Sequence, residues 1–264
     1  MSYFLQELCH REDPTRPVTQ GMDAPDAVVN NNMAAVMDIA GFNYRPHKYQ
    51  ENYKKLPQQI VLGSETASTV SSRGVYKFPV TRQWMKKYDD HQSSSYDVES
   101  CSWSNLPEDD FIQHEDLPYC IGEFVWTGFD YLGESWGWPG RTNNYGIIDL
   151  AGFEKDHYYL YQSLWSDEPM VHVLPHWTHQ GKEGVEIPVV VYTNGDAAEL
   201  FYNGKSLGRK DMHRDSLQIV WNVPYRPGTI KAVAYKDGRV IASCSHKTAG
   251  KAYSLKLTAD RKTT

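Results

Sequence analysis

The chain has 264 residues, of which 40% are hydrophobic, 23% are charged and 13% are aromatic. This composition supports a packed core and excludes global disorder. The net charge of −6 comes without a basic patch, so nucleic-acid binding is not expected. No stretch approaches the roughly 20 consecutive apolar residues of a membrane span, and the N-terminus lacks the basic start and apolar run of a signal peptide.

Helix and strand patterns alternate over the first 165 residues. Such alternation predicts a parallel sheet or a barrel. The polar segment 89–113 is long for a compact domain and is expected only where it is functional. Helices are predicted over 3–9, 49–56, 79–88 and 156–165, a helix or loop over 24–29, and strands over 18–21, 36–44, 60–68 and 120–131.

The pattern changes after Trp165 to short apolar strands separated by turn dipeptides. Asn-Gly occurs twice between them, and Pro-Gly and Asp-Gly once each. Several short strands at this spacing predict an immunoglobulin-like sandwich. The strands are predicted over 170–174, 185–192, 198–202, 217–223 and 229–235.

Glu65 follows a buried strand, Ile60-Val61-Leu62, directly after the break at Gly63-Ser64. In a (β/α) barrel, residues just beyond the carboxyl end of a strand face the active site, so Glu65 is a candidate for chemistry. The alternative is that it caps a helix or pairs with a surface arginine. A strand-end carboxylate alone does not decide between these two interpretations.

The cysteines have no metal-binding or CxxC spacing, so neither a disulfide nor a zinc site is expected. The supply of 8 Trp and 18 Tyr suits a protein that stacks on sugar rings, but it would equally fill a large core.

Four motifs of the first 165 residues occur in a characteristic order, and together they resemble glycoside hydrolase family 2. The nearest likeness is to the β-galactosidases of the Bacteroides type. The motifs are Asp13-Pro14-Thr15-Arg16-Pro17-Val18-Thr19, Gly41-Phe42-Asn43-Tyr44, Gly63-Ser64-Glu65-Thr66 and the run from Gly122-Glu123-Phe124-Val125-Trp126 to Gly133-Glu134. Segments 173–177, 191–194 and 199–208 resemble the domain that follows the catalytic barrel in that family.

The resemblance implies an α/β part followed by an all-β part. Residues 1–167 would be the C-terminal half of a (β/α)8 barrel, and 168–250 an immunoglobulin-like β-sandwich. Residues 251–264 would open a further, truncated β-domain. The expected partner is therefore the missing N-terminal half of the barrel, and a periplasmic or secreted location is expected for the full-length parent.

The resemblance also implies a retaining glycosidase whose nucleophile is Glu65. The family's general acid lies in an Asn-Glu pair on the fourth strand, and no such pair precedes the fifth strand here. Glu123 and Glu134 are the available substitutes, and a structural role for Glu123 is favoured. We therefore expect no hydrolysis of an aryl β-galactoside by this chain alone.

Further positions are implied to bind the substrate. These are Asn43 and Tyr44 at the end of the sixth strand, Trp126 at the face of the sugar pocket, and Glu134 and Arg141 in a Trp- and Gly-rich loop at its mouth. Without the resemblance, Trp126 would be taken for a core residue. The magnesium ligands of some relatives lie upstream, so no metal and no cofactor are expected here.

The expected substrate is thus a terminal β-galactoside. A β-glucuronidase or β-mannosidase of the same family remains an alternative, although no basic cluster for a sugar carboxylate adjoins Asn43. A non-catalytic carbohydrate-binding or scaffold module is the remaining possibility.

Overall fold

The computed structural model describes residues 1–84, 86–133 and 142–261. Within these ranges two short 3-10 turns, Ala34–Val36 and Pro46–Lys48, accompany five α-helices and fifteen strands. The helices are α1 Ser2–Glu12, α2 Pro25–Asn30, α3 Tyr49–Tyr53, α4 Pro107–Asp116 and α5 Asp156–Trp165. The strands are β1 Thr19–Met22, β2 Ile39–Asn43, β3 Val61–Thr66, β4 Gln83–Trp84, β5 Glu99–Ser100, β6 Cys120–Val125, β7 Tyr131–Leu132, β8 Thr142–Asn143, β9 Val171–Leu174, β10 Glu186–Thr193, β11 Ala197–Tyr202, β12 Lys205–Asp211, β13 Ile219–Pro224, β14 Thr229–Lys236 and β15 Arg239–Lys247.

The first part of the chain contains a sheet of four parallel strands in the order β1-β2-β3-β6. Apolar residues on one face of this sheet, among them Phe42 and Val61, pack against Val29 of α2 and Tyr49 of α3. Because the strands are parallel, their carboxyl ends meet at one edge. This edge, which we call the C-terminal edge, carries Tyr44, Glu65 and Trp126, three of the residues that the sequence singled out.

The segment 67–106 between β3 and α4 does not form the helix predicted over 79–88, and that prediction is wrong. Strand β4 occupies Gln83–Trp84 instead and pairs with β5. Phe78 and Val80 pack against a core cluster that includes Leu174 and Tyr192 of the second part. Local helical spacing is overridden here because burial against the sandwich stabilises an extended path.

The second part consists of two antiparallel sheets, ordered β13-β10-β9 and β12-β11-β14-β15. They share a core that includes Trp177, Ile187, Leu200, Trp221 and Ile230. The sheets share this core because successive residues of a strand point to opposite faces of its sheet. Strand β13 shows this alternation, since each of its buried residues is followed by an exposed one. The five predicted strands of this part are present as β9, β10, β11, β13 and β14.

A seam of buried polar contacts joins the two parts, and we call it the interdomain seam. An oxygen of Asp156 on α5 lies 2.7 Å from Nε2 of His172 on β9. The Tyr96 hydroxyl donates to the carbonyl of Pro188 at 2.7 Å. The Tyr192 hydroxyl donates to the buried carboxylate of Asp97 at 3.3 Å. The two parts therefore share one continuous interior.

Among the described residues, the helices are too short or too polar to span a bilayer.

Candidate active site

Three of the predicted site residues lie together at the C-terminal edge. Tyr44 directly follows β2, and its backbone N–H donates to the carbonyl of Glu65 at 2.7 Å. Trp126 directly follows β6, and its N–H donates to the carbonyl of Thr66 at 2.8 Å. Adjacent parallel strands thus bring residues about 20 and 60 positions apart in sequence to one place.

An extra residue in β3 decides which way Glu65 faces. Phe42 pairs with Gly63 and Asn43 with Glu65, so Ser64 is the additional residue on this side of β3. A Cβ on Gly63 would lie 2.9 Å from His114 of α4, so Gly63 faces the helices. Strict alternation would turn Glu65 the same way, but Thr66 occupies that face and contacts Glu123. The bulge therefore directs the Glu65 side chain away from the face that packs against the helices. Bulges near active sites commonly redirect a side chain in this way.

The phenol of Tyr44 is the polar group beside Glu65. Tyr44 is almost fully buried, and its hydroxyl lies 2.6 Å from Oγ of Ser68. Burial raises the pKa of this phenol, the neighbouring Glu65 carboxylate raises it further, and the Ser68 contact opposes the shift. Tyr44 therefore keeps its proton at neutral pH and can donate it in a hydrogen bond to the carboxylate.

Trp103, in segment 67–106, is a site residue that the sequence did not identify. Its side chain acts on the Tyr44 phenol, whose pKa it lowers against the effect of burial. Its carbonyl accepts from Nη1 of Arg45 at 2.7 Å, and the same guanidinium lies 3.3 Å from Asp23. A cavity of about 750 Å³, lined in part by Arg45 and Trp103, extends from this point. The only sequence signal was the length and polarity of the segment.

Aromatic rings continue from Trp126 along the same edge. The Trp126 ring is 38% exposed and meets Tyr131 edge-on at 6.3 Å. Tyr131 in turn meets Tyr145 at 6.5 Å. An accessible indole at the end of β6, the neighbour of the strand that carries Glu65, suits the apolar face of a sugar ring.

Asn43 lies on the face of the sheet opposite the helices. Its Oδ1 accepts from Oγ of Ser64 at 2.9 Å, and a Cβ on Gly21 would come within 2.8 Å of that same oxygen. The predicted residues Glu134 and Arg141 lie outside the described residues. Within the described ranges, no group of three His, Cys, Asp or Glu side chains could hold a metal ion.

Glu123, the possible substitute acid, faces away from the Glu65 side chain. Its Oε2 accepts from Oγ1 of Thr66 at 2.7 Å and lies 3.5 Å from Nδ1 of His114. Burial raises the pKa of Glu123 to about 7 and lowers that of His114 to about 4. Glu123 is therefore part of the packing between β6 and α4.

Glu108 of α4 is another buried carboxyl, and it makes the free energy of unfolding depend on pH. Burial raises its pKa from 4.5 to about 7, the Asp97 carboxylate adds to the shift, and Arg82 opposes it. Between pH 4.5 and 7 the folded state holds a proton that the unfolded state has released, so the free energy of unfolding falls as the pH rises.

Replacing Glu108 by glutamine removes this dependence. We expect the variant to match the parent near pH 4.5 and to exceed its free energy of unfolding by about 2–3 kcal/mol at pH 8. Urea denaturation of both proteins at the two pH values measures the difference. A gap that stays constant with pH would contradict the expectation.

The sandwich matches a family model described as a domain of unknown function, DUF4982, over residues 184–242. The chain is 39% identical over 260 residues to the β-galactosidase BoGH2A of Bacteroides ovatus, covering 94% of this chain and 30% of that protein. It is 35% identical over 283 residues to a putative β-glucuronidase of Formosa agariphila, covering 92% and 26% respectively. The chain thus spans less than a third of either relative.

Solved structures agree with these relatives. A β-glycosidase from Bacteroides vulgatus superposes with a TM-score of 0.82 at 37% identity, over 98% of this chain and 36% of that one. A glycosyl hydrolase family 2 member from Bacteroides cellulosilyticus gives 0.71 at 29% identity, over 98% and 32%. Similarity in sequence and in fold over almost the entire chain shows that it belongs to glycoside hydrolase family 2.

Proposed function

We propose that the protein containing this chain is a retaining glycoside hydrolase that cleaves terminal β-galactosides, with Glu65 as its nucleophile. The observation that carries this proposal is the position of Glu65 at the C-terminal edge, beside the protonated phenol of Tyr44. The accessible ring of Trp126 supports it, since a sugar bound over Glu65 needs an apolar surface to stack on. Asn43, Glu134 and Arg141 are proposed to complete the binding of the substrate.

The chemistry divides into two displacements at the anomeric carbon. The Glu65 carboxylate attacks that carbon while a carboxylic acid about 5 Å away protonates the departing oxygen, which leaves a glycosyl ester on Glu65. The second group, now a carboxylate, takes a proton from water as the water displaces Glu65. The Tyr44 phenol can hold Glu65 in place through a hydrogen bond during both steps.

The acid is proposed to come from outside the described residues. Glu123 packs between β6 and α4 on the helix side of the sheet. Asp110 is fully buried and binds the backbone of Ala67. Neither faces a sugar above Glu65, and the described ranges cover less than a third of the curated relatives.

The architecture is proposed accordingly. Residues 1–167 form the C-terminal half of a (β/α)8 barrel, residues 168–250 an immunoglobulin-like sandwich, and residues 251–264 the opening of a further β-domain. Four parallel strands in sequential order, with helices packed on one face, support the barrel. A periplasmic or secreted location of the full-length protein belongs to the same proposal.

A β-glucuronidase is the second candidate, because the Formosa agariphila relative carries that name. A sugar carboxylate requires a free cation near the nucleophile. Among the residues that the structure describes, Arg45 lies next to Tyr44 in sequence, and its guanidinium is already bound to the Trp103 carbonyl and to Asp23. This arrangement favours a neutral sugar such as galactose.

The proposal is tested on the full-length protein with aryl β-galactoside, β-glucuronide and β-mannoside at equal concentrations. We expect the galactoside to turn over fastest. A 2-deoxy-2-fluoro-galactosyl fluoride should label the peptide that contains Glu65, as identified by mass spectrometry. Preference for the glucuronide would select the second candidate, and labelling of another residue would overturn the role of Glu65.

The chain of residues 1–264 serves as the control in the same assay. General acid catalysis contributes roughly 10²–10⁴-fold to the rate. We expect the rate of this chain to lie below that of the full-length protein by at least this factor. Absence of turnover by both proteins on all three glycosides would favour a non-catalytic carbohydrate-binding module.

A further inference from the structure

We propose that Asp110 of α4 is a positioning residue for Glu65, acting through the backbone of Ala67. Asp110 touches neither Glu65 nor the space above it, so its role is to fix where the nucleophile's strand ends. The inference rests on the proposed function, because it concerns the placement of the proposed nucleophile.

Ala67, two residues after Glu65, has an unfavourable backbone conformation. Its φ is +45°, in the left-handed region where a residue with a Cβ is strained. Such a conformation persists only when surrounding contacts hold it. The Ala67 N–H donates to Oδ2 of Asp110 at 2.9 Å, and the Ala67 carbonyl accepts from the N–H of Thr69 at 2.7 Å. Of these two contacts, only the first comes from a side chain distant in sequence.

Asp110 is itself fixed in one orientation. It is fully buried, and its second oxygen accepts from Nδ2 of Asn105 at 2.8 Å. No Lys, Arg or His within the described ranges forms an ion pair with it, and burial raises its pKa to about 7. A buried carboxyl without a counter-ion is costly, so a purely apolar contact would pack this position better. What the side chain supplies is two oxygen atoms in a fixed arrangement, each accepting from one N–H donor.

The next residue connects this contact to the nucleophile. The N–H of Ser68 donates to Oγ of Ser104 at 2.8 Å, and Oγ of Ser68 lies 2.6 Å from the hydroxyl of Tyr44, the residue whose phenol lies beside Glu65. A shift at Ala67 would thus move Ser68 and, with it, the group that orients the nucleophile. Misplacement of a reacting group by about 1 Å costs on the order of 10²-fold in rate.

The test exchanges the hydrogen-bonding groups of Asp110 and Asn105 in the full-length protein. In Asp110→Asn the new amide nitrogen must face one of two donors, the Ala67 N–H or the Asn105 amide. We expect kcat for an aryl β-galactoside to fall about 10–100-fold while KM stays nearly unchanged.

The double variant combines Asn105→Asp with Asp110→Asn. The amide nitrogen at position 110 then donates to the carboxylate at position 105, while the amide oxygen at position 110 accepts from the Ala67 N–H. This variant should recover kcat to within about threefold of the parent.

A second measurement distinguishes misplacement of the nucleophile from unfolding of the variant. The rate at which 2-deoxy-2-fluoro-galactosyl fluoride labels Glu65 is measured per titrated active site, which does not count unfolded protein. Glu115→Gln is the matched control, because Glu115 is an exposed carboxylate on the same helix. Its labelling rate should equal that of the parent.

An unchanged labelling rate in Asp110→Asn would overturn the inference while leaving the proposed function intact. If Asp110→Asn does not fold, the double variant decides: a folded double variant with a labelling rate at least about tenfold below the parent would also overturn it. Full activity of Glu65→Gln would instead overturn the proposed function, and this inference with it.

Discussion

Replacing Glu65 by glutamine in the full-length protein is expected to lower kcat for an aryl β-galactoside by about 10⁴-fold or more. The amide keeps the size and shape of the side chain but cannot attack the anomeric carbon or form the glycosyl ester. The fold should remain intact, since the Glu65 backbone carbonyl still accepts from Tyr44. Steady-state kinetics and the melting temperature, measured on one preparation, check both parts of the expectation.

The matched control is Glu51→Gln, which makes the same chemical change on α3, where Glu51 pairs with Lys55 on the surface. It should retain the activity of the parent. Full activity in Glu65→Gln would remove this residue from the mechanism. A loss of melting temperature far beyond that of the control would mean that the carboxylate supports the fold.

Replacing Lys155 by methionine is expected to lower the free energy of unfolding by about 3–5 kcal/mol. The Lys155 side chain is fully buried, and its Nζ donates to Asp130 at 2.7 Å and to the carbonyls of Ser71 at 2.7 Å and Asn144 at 3.1 Å. Burial lowers the pKa of this amine, and the Asp130 carboxylate opposes the shift. Methionine fills the space but supplies no donor to the Ser71 carbonyl and no counter-ion to the Asp130 carboxylate. Asp130 and the Asn144 carbonyl each keep one backbone donor, the N–H of Gly146 and of Ser71.

Lys55→Met is the control, because Lys55 is exposed and pairs with Glu51 on the surface at 3.1 Å. Its effect should stay within about 0.5 kcal/mol. Denaturation in urea measures both variants. A loss below about 1 kcal/mol in Lys155→Met would contradict the expectation, because it would mean that Asp130 finds another partner or water.

The two central strands of the parallel sheet could be predicted because burial on both faces makes their sequences apolar. β2 and β3 follow this rule and lie within the predicted ranges. β12 was missed for the opposite reason. It lies at the edge of its sheet, all seven of its residues are exposed, and three of them are Lys or Arg, so its sequence resembles a loop.

The residues of the candidate site also differ in whether the sequence predicts them. Tyr44 and Glu65 stand where apolar runs end, and the rule for parallel strands brings them together without further information. Trp103 and Asp110 follow no such rule. They reach Tyr44 and Ala67 through the packing of segment 67–106 and α4, which depends on residues distant in sequence.

The interdomain seam has a consequence for protein engineering. Cutting the chain near residue 167 would separate Asp156 from His172 and Asp97 from Tyr192, and would leave buried polar groups on both pieces without partners. It would also divide the apolar cluster that Phe78 and Leu174 share. The sandwich is consequently not a portable module: a chimaeric enzyme that exchanges it for that of a relative must carry segment 67–106 and α5 along with it.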